Sequence, residues 1–137
     1  MAEERTVCRG IRGAITVEED RGQQPMAQAT RELLDAIVEA NECRPEDLAA
    51  VIFTVTDDLA GHNPAAAARE HGFVDVPLLQ VKEHAGEPHV ARCLRVLLLW
   101  NTTSTQSQIK HVYLKGAATL RPDLGRESAE SGTGGRP

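Results

Sequence analysis

The sequence predicts an α+β fold in which a mixed β-sheet is covered on one side by one long helix, with a second, short helix beside it. Three observations lead there: a period-two run from Val7 to Val17, one amphipathic helical repeat between Pro25 and Asn41, and a series of β-rich segments separated by turn residues. The chain has 137 residues, the size of one domain. At that length folding buries roughly two-thirds of the unfolded surface, so a core needs no covalent or metal staple.

The first strand places Val7, Arg9, Ile11, Gly13, Ile15 and Val17 on one face, and Cys8, Gly10, Arg12, Ala14 and Thr16 on the other. After the breaker-rich stretch Asp20 to Gln24, Pro25 suits a first helical turn. Ala29, Leu33, Leu34, Ile37, Val38 and Ala40 then recur at helical spacing up to Asn41. Arg44 to Leu48 reads as a turn, and Ala50 to Thr56 as a second, buried strand. Asp57 to Asn63 is a polar loop. Pro64 opens a short alanine-rich helix, Ala65 to His71, which Gly72 ends. Val76 to Glu83 is a third strand and Val90 to Thr102 a fourth, split by Gly86-Glu87-Pro88. Periodicity alone leaves a helix open for Leu94 to Trp100, although strand is favoured. Lys110 to Thr119 gives the last strand. Residues 1–124 form a single domain on this reading, and 125–137, with almost nothing to bury, a disordered tail.

One long helix cannot cover both faces of such a sheet. Several strands look apolar on both sides, so the uncovered face is expected to meet another subunit, most simply in a closed cyclic oligomer.

Composition narrows the chemistry. A net charge of −5 and only four aromatic residues, Phe53, Phe73, Trp100 and Tyr113, argue against a nucleic-acid partner, which needs a basic surface and stacking platforms. Cys8, Cys43 and Cys93 are odd in number and widely spaced, which fits reduced thiols in a cytoplasmic protein. The N-terminus lacks the apolar stretch of a signal peptide. The longest apolar run, Val96 to Trp100, is too short to span a bilayer, so no membrane association is expected. The five histidines show no metal-ligand spacing, no glycine-rich phosphate loop is present, and no Ser or Cys stands in a nucleophile elbow.

The arginines are more informative. Arg12 lies on a strand face otherwise made of small residues, which leaves room beside its guanidinium. The local pattern fits a ligand-binding arginine and a solvated surface one equally. Arg95 interrupts Cys93-Leu94 and Val96 to Trp100, where an unpaired cation would cost several kcal/mol of desolvation. It therefore needs an anionic partner or a wet pocket. Glu83, at the end of the third strand, is a candidate partner, or equally an acceptor for a substrate hydroxyl. Tyr113 falls on the more polar face of the last strand, with packing and catalysis both open to it. Arg69 and Arg121 read by default as surface residues.

Taken together, Arg9-Gly10-Ile11-Arg12-Gly13-Ala14, Thr16-Val17-Glu18, Arg69-Glu70, Val76-Pro77, Glu83, Cys93-Leu94-Arg95-Val96, His111-Val112-Tyr113-Leu114 and Leu120-Arg121-Pro122-Asp123-Leu124 resemble the AroH class of monofunctional chorismate mutases. The resemblance runs from about residue 9 to 124. It implies a homotrimeric pseudo-α/β barrel with active sites between adjacent subunits, and the Claisen rearrangement of chorismate to prephenate on the route to phenylalanine and tyrosine. By the same resemblance, Arg95 meets the ether oxygen as negative charge gathers on it, and Glu83 accepts the substrate hydroxyl. Arg12 and Tyr113 bind the side-chain carboxylate, while Arg69 and Arg121 supply cationic surroundings. No cofactor or metal is implied, since a pericyclic reaction needs only a held conformer and stabilised charge. Asn63, Ala66 and Gln80 stand where the family can place an aromatic residue, a lysine and a cysteine, and loss of the lysine removes one carboxylate contact. The alternative is a non-catalytic trimeric sensor that binds a carboxylate metabolite with the same arginines. A third reading is a purely structural trimer that binds no metabolite.

Overall fold

The computed structural model describes residues 5–18, 23–59, 61–84, 86 and 90–120. Its elements, in chain order, are β1 (Val7–Thr16), α1 (Gln23–Asn41), β2 (Leu48–Val55), α2 (Pro64–Glu70), β3 (Leu78–Lys82), β4 (Cys93–Thr102) and β5 (Val112–Leu114), with short 3-10 turns between several of them. The five strands form one sheet in the order β3-β2-β4-β1-β5. β4 runs antiparallel to both β1 and β2, whereas β1 is parallel to β5 and β2 to β3, so the sheet is mixed as predicted. Leu94 to Trp100 is strand, which resolves the ambiguity left by its apolar run.

The alternation in β1 sorts its side chains between two environments. Ile11 and Ile15 enter the main core with Val51 and Phe53 of β2, Leu94, Val96 and Leu98 of β4, and Leu33, Leu34 and Ile37 of α1. Each such side chain, fully buried, contributes about 1.5–3 kcal/mol. Gly13 faces the same core because α1 comes so close. A Cβ there would lie 2.7 Å from Ile37 Cδ1 and 3.2 Å from the Val112 carbonyl oxygen.

α2 joins the same layer as α1. Asn63 caps its start by accepting from the Ala66 N–H at 2.9 Å, and Pro64 costs nothing in the first turn. Its end is a Schellman turn: the Phe73 N–H reaches the Ala68 carbonyl and the Gly72 N–H the Arg69 carbonyl, with Gly72 at φ 104°. Gly72 thus stops the helix as expected.

Most strand ends fall within about two residues of the sequence-based expectation, and two differ by more. The last strand stops at Leu114 instead of Thr119. Its partner β1 ends at Thr16, one residue beyond the last pair, Ile15 with Leu114, so nothing remains to continue the ladder. Lys115 takes φ 54°, the Gly116 N–H goes to Thr16 Oγ1 at 3.1 Å, and Lys115–Leu120 coils into a 3-10 turn. β4 begins at Cys93 and not at Val90, because Arg92 at φ 48° breaks the extended backbone. The expected tail at 125–137 lies outside the described residues.

Both helices lie on one side of the sheet. On the other, the Lys115–Leu120 turn packs Ala117 against Ala14, Cys93 and Tyr113. Farther along that face Leu97 and Ile52 are half-buried, while Leu79 and Val81 are 56% and 42% exposed. No helix among the described residues is long and apolar enough to cross a membrane.

Candidate active site

Strand register places the candidate residues on the helix-free face. Arg95 in β4 is directly opposite Thr54 of β2 on one side and Ala14 of β1 on the other, and Ala14 pairs in turn with Tyr113 of β5. Paired residues share a face of the sheet. One row therefore reads Thr54, Arg95, Ala14, Tyr113. The next row brings Ile52, Leu97 and Arg12 together.

Arg95 is half-buried on the central strand, and its Nε lies 3.2 Å from Oε2 of Glu83. Yet that buried Nε makes no properly aligned hydrogen bond. The two facts are compatible: the charges are in contact, but the N–H is not aimed at the carboxylate. Distance fixes the Coulomb attraction, and angle decides whether a donor is satisfied. Glu83 sits one residue past β3, where its N–H donates to the Val55 carbonyl at 2.8 Å. Its other oxygen, Oε1, accepts from the Thr54 hydroxyl.

Tyr113 is 4% exposed and packs with Ala14, Cys93 and Ala117. Burial pushes the Cys93 thiol up to about 11, with the neighbouring Arg95 cation opposing part of that rise. Arg12 is exposed on the same face, two residues before Ala14 in β1. Its backbone N–H donates to Nδ1 of His111 at 3.0 Å, so an imidazole extends the β1–β5 ladder where a carbonyl would otherwise serve. Asn41, at the end of α1, pairs with both the N–H and the carbonyl of Lys110 at 2.8 and 2.9 Å, which anchors the chain leading into β5.

Within one chain, Arg95 and Glu83 touch, Tyr113 shares their row, and Arg12 stands one row away. Arg69 does not join them. It is exposed in the last turn of α2, in the helical layer on the opposite side of the sheet. Arg121 lies outside the described residues. Two hollows along Thr16–Glu18, one closed by Gln24, Gln28 and Lys115 and the other by Ala91 and Arg92, are lined by none of Arg12, Glu83, Arg95 or Tyr113. Arg12, Glu83 and Arg95 lie on the helix-free face, and Tyr113 is buried on that face beneath the Lys115–Leu120 turn. Among the described residues no group of three or more His, Cys, Asp and Glu side chains is arranged to hold a metal ion.

Sequence reasoning missed the residues that fix this surface. By sequence Thr54 is only one residue of the β-rich run Ala50 to Thr56. A second set clamps the start of β4: Asp58 accepts from the Thr56 hydroxyl at 2.5 Å and from the Arg92 N–H at 2.9 Å, and Thr56 Oγ1 accepts from the Cys93 N–H at 3.0 Å. The Arg92 guanidinium then donates to the carbonyls of Val17 and Glu18 at 2.7 and 2.6 Å. The ends of β1, β2 and β4 are thereby tied together three residues before Arg95. Asn63 and Gln80, two of the positions expected to depart from the family pattern, serve α2, since Gln80 Oε1 accepts from the Ala65 N–H at 2.8 Å and Asn63 is the cap.

Fold and face together define the class: a small α+β protein that brings a guanidinium from β4 and a carboxylate from the end of β3 together across β2 on the helix-free face of one sheet. The chain belongs to the family described as chorismate mutase type I, whose pattern matches residues 8–124. It is 54% identical over 125 residues to the chorismate mutase AroH of Thermus thermophilus, covering 90% of this chain and all of that relative. To the chorismate mutase AroH of Bacillus subtilis strain 168 it is 41% identical over 119 residues, covering 86% of this chain and 93% of the relative. A solved chorismate mutase structure from Clostridium thermocellum superposes with a TM-score of 0.77 at 37% identity, covering 81% of this chain and 98% of the other. These relatives are named as enzymes, and the sensor reading gains no support from them.

Proposed function

We propose that this protein rearranges chorismate to prephenate in a cytoplasmic homotrimer whose active sites lie between adjacent subunits, on the route to phenylalanine and tyrosine. The observation that carries the site assignment is Arg95: a half-buried cation with an unaligned Nε–H, beside Glu83, on a sheet face that its own helices leave open. A buried donor without a partner is costly, and an oxygen placed against it recovers that cost.

In this reaction one carbon–oxygen bond breaks as a carbon–carbon bond forms within the same molecule, and negative charge gathers on the ether oxygen. Arg95 meets that charge with a fixed donor, so its contact strengthens in the transition state and lowers the barrier. Glu83 accepts the substrate hydroxyl. Arg12 and Tyr113 hold the side-chain carboxylate, which favours the compact conformer the rearrangement needs. A guanidinium suits these tasks through its planar fork of donors. Arg69 faces away from Arg95 in its own chain, so its contribution comes from an adjacent subunit, with Arg121 completing the cationic rim.

The test is to follow loss of chorismate by its ultraviolet absorbance, with no added metal or cofactor, while sedimentation reports the assembly. Turnover by a trimer is expected. A folded trimer that binds chorismate and leaves it unchanged overturns the proposal.

A further inference from the structure

We infer that Thr54 is a positioning residue for Glu83, holding its carboxylate in place through a hydroxyl donated from the adjacent strand. This rests on the proposed role of Glu83 as acceptor of the substrate hydroxyl.

Glu83 lies beyond the end of β3, where one backbone hydrogen bond, to Val55, ties it to the sheet. A glutamate side chain has three rotatable bonds, and little else in that position would select one rotamer. Two groups do so here. The Thr54 hydroxyl donates to Oε1, and the Arg95 guanidinium stands 3.2 Å from Oε2. Thr54 and Arg95 are themselves a direct cross-strand pair, so the carboxylate bridges neighbours whose spacing the sheet has already fixed.

The division of labour follows from the chemistry of each contact. Arg95 attracts Glu83 without an aligned Nε hydrogen bond, and a point attraction does not set direction. A hydroxyl donor does set it, because hydrogen bonding falls off steeply with angle. Thr54 also occupies Oε1 alone, and a carboxylate has about four acceptor sites, so capacity remains for a substrate hydroxyl. A valine at this position would keep the β-branched shape that suits a strand and would lose only the donor.

The experiment is a double-mutant cycle with Thr54→Val and Glu83→Gln, read as kcat and KM for chorismate and accompanied by Thr54→Ser. Thr54→Val is expected to lower kcat/KM by about 10-fold, the size of one lost hydrogen bond to a charged group, and Thr54→Ser to restore most of it. In the Glu83→Gln background the valine substitution should cost little more, because its effect passes through the carboxylate. A full, multiplicative loss in that background overturns the role assigned to Thr54 while leaving Glu83 intact. A Glu83→Gln variant with wild-type kinetics overturns the reading of Glu83 and, with it, this inference. If Thr54→Val fails to fold by circular dichroism, Thr54→Ala against Thr54→Ser gives the same comparison, and equal activity of those two overturns the proposal.

Discussion

Arg95 Nε and Glu83 Oε2 are 3.2 Å apart, in charge contact but without an aligned hydrogen bond. A saturated internal salt bridge would leave nothing for a substrate to gain, whereas this pair keeps a buried donor in reserve. Replacing Arg95 by Ala should lower kcat/KM by about two to three orders of magnitude or more, the range for loss of a transition-state donor. Arg95→Lys should recover little, since an ammonium cannot reproduce the planar fork. Steady-state kinetics on chorismate checks both, and near-normal turnover of Arg95→Ala would show that the arginine only neutralises Glu83.

Asp58 acts on Arg95 from a distance along the backbone. Its carboxylate holds the Thr56 hydroxyl and the Arg92 N–H, and Thr56 holds the Cys93 N–H, so the β4 register depends on it. Asp58→Ala leaves those partners unpaired and should destabilise the protein by about 1–3 kcal/mol. Urea unfolding measures that loss, and kcat should fall along with it because Arg95 is only two residues beyond Cys93. Asp58→Asn keeps an acceptor and should recover part of both.

The sequence reveals what depends on local periodicity and hides what depends on register. Alternation in β1 is enough to separate Ile11 and Ile15 from Arg12 and Ala14, because a strand has only two faces. The cost of burying a lone cation is enough to single out Arg95, and Glu83 is the nearest acid at a strand end. By contrast, Thr54 becomes informative only once β2 is aligned against β4, and His111 only once its ring is found against the Arg12 backbone. The early end of β5 has the same origin: Lys110 to Thr119 has strand-like composition, but the partner strand stops at Thr16. The clamp of Asp58, Thr56, Arg92 and Cys93 joins residues up to 37 positions apart, from Thr56 to Cys93, and no local pattern announces it.

The helix-free face predicts how assembly and activity are linked. Leu97 is half-buried in its own chain, between Arg12 and Ile52, and Leu79 and Val81 continue the apolar surface toward the sheet edge. Placing a carboxylate in this surface costs little while the face is wet and a great deal once a neighbouring subunit covers it. Leu97→Asp should therefore keep its circular dichroism spectrum yet sediment as a smaller species than the wild type and lose nearly all activity. A Leu97→Asp protein that still sediments like the wild type would overturn the assignment of this face to subunit contact.

The buried thiol of Cys93 gives a pH prediction whose sign is fixed. Its folded value is raised to about 11 from an ordinary 9.0 by burial. Between those values the unfolded chain has lost a proton that the folded chain keeps, so rising pH favours unfolding there. The thiol's contribution is complete below about pH 9, declines through the interval up to about 11, and changes no further above it. Cys43, likewise raised to about 11 by burial, adds a second component of the same sign. Urea midpoints measured from pH 8 to 11 should fall for the wild type and fall less steeply for Cys93→Ala. Identical slopes would mean that Cys93 titrates at the same pH folded and unfolded. Catalysis is a separate matter: the proposed rearrangement is pericyclic and transfers no proton, so kcat should stay nearly flat between about pH 6 and 8. A bell-shaped profile centred near pH 7 would instead point to acid–base chemistry by a histidine.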